Sequence, residues 1–119
     1  MRLISLAVAG IAVLAVPGSA FGQWRYMFES LEGLETSDID LMKQTAREGM
    51  DGKEVGTRLT WQNPETGHRG IVVLLEASQS VELECRRNRH YVDLVDADRR
   101  TSLEFKICRK PGGEWLIYD

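Results

Sequence analysis

At 119 residues with a formal net charge of −3, the chain has room for one small domain and no global attraction for nucleic acid or anionic lipid. A second domain will not fit. Its two cysteines, Cys85 and Cys108, read first as a single disulfide in an oxidising compartment.

The first residues carry an export pattern. Met1-Arg2 is a minimal basic start, Leu3 to Val16 is apolar or small apart from Ser5, and Pro17-Gly18-Ser19-Ala20 offers a break and the small residues that a signal peptidase reads. Residues 1–20 are therefore expected to be a signal peptide cleaved before Phe21. The apolar run falls short of the about 20 residues that a spanning helix needs. No cysteine stands near the cleavage point to accept an acyl chain, which makes a periplasmic protein the expectation, soluble or peripherally attached to the outer membrane.

Residues 21–35 read as an N-terminal arm that lays Trp24, Tyr26, Met27 and Phe28 on the domain. Trp24 and Phe28 are also where a peripheral membrane contact would run, although no Lys/Arg face accompanies them. The spacing then predicts a helix. Ser37 and Asp40 have the separation of a capping box, and Ile39, Met42, Ala46 and Met50 fall on one stripe. Asp38 and Asp40 lie at the positive end of the helix dipole, and Gly49 and Gly52 weaken and end the element.

A hairpin follows from Gly56 to Gly70. Val55, Thr57, Leu59 and Trp61 alternate with Gly56, Arg58, Thr60 and Gln62, and Asn63-Pro64-Glu65-Thr66-Gly67 has turn chemistry. Trp61 is read as a core anchor. After a second run, Ile71 to Leu75, come strand patterns at Val81 to Arg86, His90 to Val95, Leu103 to Ile107 and Trp115 to Tyr118. The fold class expected is α+β: one N-terminal helix packed on an antiparallel meander of five to six strands, in two layers, over residues 36–119.

The cysteines carry a conflict of parity. Cys85 reads as inward with Val81 and Leu83, whereas Cys108 reads as outward with Glu104 and Lys106. Strand cysteines on opposite faces cannot bond, so a bulge or strand end is expected just before Cys108, with irregular pairing over Ile107 to Arg109.

An acidic-capped helix at Ser37-Asp38, Val55-Gly56-Thr57, the run Trp61-Gln62-Asn63-Pro64-Glu65-Thr66-Gly67-His68-Arg69-Gly70, the pairs Cys85-Arg86 and Cys108-Arg109, and the final Gly113-Glu114-Trp115 together resemble a known family. The chain is similar to the C-terminal domain of the bacterial surface antigen family, the group of the rickettsial seventeen-kilodalton common antigen. That resemblance makes Trp61, Asn63, Pro64, Gly67, Gly70 and Trp115 structural motif residues. It implies a cell-envelope location and no catalytic activity. Antigen-type members carry a lipobox cysteine and a glycine-rich segment ahead of this domain, and neither is seen here, so a periplasmic form is the implied one.

Candidate chemistry is sparse. His68, Cys85, His90 and Cys108 have the composition of a zinc site without its paired spacing, and a disulfide would consume both thiols. No catalytic, cofactor or metal residue is assigned. Arg86, Arg87, Arg89 and Arg109 form the local basic concentration, a candidate anion or partner contact, although alternation puts Arg87 and Arg89 on one face and Arg86 on the other. The expected function is a non-enzymatic envelope domain that binds or supports an envelope component, whether protein, glycan or peptidoglycan. The alternative is a small periplasmic inhibitor of a secreted hydrolase, for which a disulfide-stapled sheet with projecting turns is suited.

Overall fold

The computed structural model of the chain describes residues 32–118. The expected signal peptide and Trp24 and Phe28 lie outside them. Within them, one helix precedes a five-strand antiparallel meander, the α+β architecture expected from the sequence.

Helix α1, Thr36–Gln44, continues into one π-helical turn, Thr45–Gly49, where the Thr45 hydroxyl donates to the Leu41 carbonyl at 2.7 Å. The cap lies elsewhere than Ser37. Glu35 is the N-cap, and its N–H donates to Asp38 Oδ2 at 2.9 Å. The Ser37 hydroxyl is instead taken by the hairpin turn, accepting from Asn63 Nδ2 at 2.8 Å. The stripe Ile39, Met42, Ala46 and Met50 is buried as its spacing requires, facing Trp61, Val72, Leu74, Val92 and Phe105 of the sheet. Among the described residues no helix is long and apolar enough to cross a membrane.

The strands are β1 (Arg58–Gln62), β2 (Arg69–Gln79), β3 (Glu84–Leu94), β4 (Arg99–Arg109) and β5 (Leu116–Ile117), each hydrogen-bonded to its neighbour in sequence. Gly70 sits directly opposite Trp61. A Cβ there would come within 2.6 Å of both Trp61 Nε1 and the Tyr91 carbonyl, so only glycine lets the indole lie against the sheet.

Two expectations are corrected in β3. The separate runs at Val81 to Arg86 and His90 to Val95 are one strand that starts at Glu84, and Val81 is 91% exposed in the turn before it. That turn is built by Ser80, whose N–H donates to the Leu83 carbonyl at 2.8 Å and whose hydroxyl accepts from the N–H groups of Glu82 and Leu83. Cys85 therefore does not share a face with Val81 and Leu83. It lies on the side of the sheet away from the helix, directly opposite Cys108 in a regular ladder, and the two are bonded with Cα atoms 4.1 Å apart. The expected bulge before Cys108 is absent. The irregularity falls in β2, where Leu75 is the extra residue between Leu74, opposite Asn88, and Glu76, opposite Arg87.

Candidate functional site

The helix covers one side of the sheet, and the other carries three rows of side chains that the register defines. Thr60, Ile71, Tyr91 and Ser102 stand opposite one another across β1 to β4. On one side runs the row Arg58, Val73, Arg89 and Glu104, and on the other the row Gln62, Arg69, Asp93 and Arg100. The middle row is uncharged and both flanking rows carry guanidinium groups. A depression of about 570 Å³ opens here, lined by Arg58, Thr60, Ile71, Tyr91, Asp93 and Arg100 among others.

Charges in the walls are unequally matched. Arg89 binds Glu104 at 2.6 Å, and Asp93 is shared between Arg69 at 3.2 Å and Arg100 at 3.9 Å. The side chains of Arg69 and Arg100 remain 58% and 84% exposed, so they keep most of their donors for a ligand. Arg58 is exposed and has no hydrogen bond or ion pair of its side chain among the described residues.

A second polar cluster lies at the helix N-terminus. The buried Asp38 carboxylate accepts four hydrogen bonds: Oδ1 from Asn63 Nδ2 and Thr66 Oγ1, and Oδ2 from the Glu35 N–H and His68 Nδ1. His68 Nε2 reaches Asp96 Oδ1 at 2.7 Å. Donating to both carboxylates requires both ring nitrogens protonated. Burial works against that charge, yet the bonds to Asp38 and then Asp96 outweigh it and raise the His68 pKa. Burial likewise opposes ionisation of Asp38, and the donors from Glu35, His68, Thr66 and Asn63 overcome it and lower its pKa. Asp96, 72% exposed at its side chain, is lowered first by the His68 bond. With both imidazole nitrogens engaged, no lone pair is left for base catalysis. The cluster ties helix, hairpin turn and the 3-10 turn Val95–Ala97 together.

The four arginines singled out by sequence do not converge. Arg86 is buried on the helix side, where Nη1 donates to the carbonyls of Ala46 and Arg47 and Nη2 to Asp51 Oδ1, neutralising the end of the helical segment. It also lies over the Trp115 ring at 4.3 Å, with Arg109 at 4.6 Å. Arg109 donates to Glu84 at 2.9 Å. Arg87 and Arg89 are on the open face and share Glu104. Of the motif residues, Asn63 accepts from the Glu65 N–H, Pro64 is in the turn, and Gly67 takes φ 81°.

No family model, curated protein or solved structure matches the chain. Among the described residues no group of three or more His, Cys, Asp or Glu side chains is set to hold a metal ion. The four potential zinc ligands are separated into a disulfide, His68 between two carboxylates, and His90 stacked on Phe105. Sequence reading missed Arg58, Arg69, Tyr91 and Arg100 because they come from four strands. Only the register puts them side by side.

Proposed function

We propose that the protein is an exported, non-enzymatic cell-envelope domain of the surface-antigen type that works by binding, with the open face of its sheet as the binding surface. The observation that carries this reading is the trough itself. An uncharged row with Tyr91 exposed at its centre runs between two rows rich in arginine, and Arg58 stands there with no hydrogen bond or ion pair of its side chain among the described residues. Exposed aromatic and guanidinium groups are the side chains that recognition surfaces favour, and an unpaired cation beside them gives a ligand something to neutralise. Export is supported by the leader pattern of residues 1–20 and by a disulfide of the kind that persists outside the cytosol.

The test has two parts. Osmotic shock of the producing cells should release the protein, and retention until detergent is added would point to a membrane-attached form instead. Isotope-labelled protein should then be mixed with solubilised envelope material from the same cells. Amide shifts concentrated at Thr60, Ile71, Tyr91 and Ser102 are expected. Shifts confined to the helix, or none, would overturn the open-face reading, and saturable binding of a soluble hydrolase on that face would favour the inhibitor.

A further inference from the structure

We infer that the trough on the open sheet face takes an acidic glycan, a saccharide strand that carries carboxylates; this rests on the open-face reading above and gives it a ligand class. Four strands at about 4.8 Å spacing make the middle row about 14 Å long from Thr60 to Ser102, an elongated seat and not a point site. Its ends are hydroxyls and its middle is Ile71 and Tyr91. That order suits a sugar chain, whose rings present C–H faces to apolar and aromatic groups and hydroxyls to Ser and Thr.

The walls choose the charge. Among the described residues, the two flanking rows hold Arg58, Arg89, Arg69 and Arg100 against the carboxylates of Glu104, which Arg87 shares, and Asp93, an excess of two cations within these rows in a chain whose formal charge is −3. The positive character is therefore local, and guanidinium forks match carboxylates in two-point geometry. An acidic peptide offers the same charge but fits this surface less well. Peptides gain most from a sheet by pairing their backbone with a strand edge, and on a sheet face the backbone groups are already spent in the ladders. Side-chain hydroxyls and guanidinium groups are what the face has to offer, and a glycan can use both.

The protein as purified from the producing cells would be titrated with polygalacturonate, with its methyl ester and with poly-L-glutamate, following heat and amide shifts. Polygalacturonate should bind and shift Thr60, Ile71, Tyr91 and Ser102. The uncharged ester should bind at least about tenfold more weakly, as should the Arg58→Glu and Tyr91→Ala variants with polygalacturonate. Both altered residues are exposed, so unchanged melting curves should accompany the loss. Binding that neither variant weakens overturns the inference. Poly-L-glutamate seated in the trough with polygalacturonate unbound overturns the glycan class and leaves the open-face reading standing. If none of the three probes shifts these residues while envelope material does, the acidic glycan is again wrong; if envelope material fails too, both fall.

Discussion

His68 and His90 are both buried, at 1% and 0% exposure, yet their surroundings drive them to opposite charge states. His68 is held between Asp38 and Asp96, and its pKa is raised. His90 points from β3 into the core, stacks on Phe105 with centroids 5.2 Å apart at 13°, and burial lowers its pKa to about 3. Depth alone decides nothing here. A buried imidazole follows its partners: two carboxylates make it a cation, and an aromatic wall keeps it neutral.

The strongest way to break this contrast is Asp38→Ala. It would leave the His68 charge and the donors of Glu35, Asn63 and Thr66 without their shared acceptor. Removing one partner of a buried pair typically costs about 3 to 5 kcal/mol, so chemical denaturation should show a loss of that size. A variant as stable as the parent would mean that the cluster does not brace the helix.

The pH profile sharpens it. His68 is raised when folded, so its contribution is complete below the ordinary imidazole pKa of about 6.5 and is lost as pH rises through its folded value. His90 is lowered, so its contribution is intact above about 6.5 and declines toward pH 3, by up to about 1.4 kcal/mol per unit. The two slopes have opposite signs and meet near the ordinary value. Stability measured by denaturant titration should therefore peak near pH 6.5, and Asp38, lowered by its donors, should add a further loss as the pH falls through its folded value. A profile flat on both sides would refute the assigned charge states.

Smaller effects come from the core near His90. Asn88 is fully buried on the same side of β3, and neither end of its amide has a hydrogen-bond partner among the described residues. Replacing an unsatisfied polar side chain by an apolar one of similar size removes a desolvation cost, so Asn88→Leu should gain about 1 kcal/mol, read as a raised melting temperature. His90→Phe should be smallest, within about 1 kcal/mol at neutral pH because the ring stack is kept, and it should flatten the acid side of the profile. A large loss at neutral pH would show that the imidazole does more than fill space.

This polar interior of β3 is also why the sequence was only partly legible. The hairpin and the Met stripe could be read because apolar residues there recur at the period of the element, as Trp61 and Met42 do. In β3 the inward positions run Arg86, Asn88, His90, Val92 and Leu94, so the first three of five write the start of a core strand in polar letters. The apolar alternation of Val81 and Leu83 then drew the strand too early and put Cys85 on the wrong face. The trough was illegible for another reason. Thr60, Ile71, Tyr91 and Ser102 are neighbours only through three registers, and one of these is shifted by Leu75 a few residues away.

Because each strand pairs with the strand next to it in sequence, every ladder can zip from its own turn without waiting for a distant segment. Such local closure favours rapid folding. The turn that joins β3 to β4 is at Val95–Asp98, and the cysteines lie at the opposite end of that hairpin, where Cys85 meets Cys108. Zipping therefore brings the thiols together last, and oxidation seals a register that hydrogen bonds have already selected. With a pair of cysteines and no third to compete, the chain needs no reshuffling of wrong bridges on its way to the folded state. Refolding from the reduced, denatured chain should accordingly recover the β3–β4 pairing before any disulfide appears.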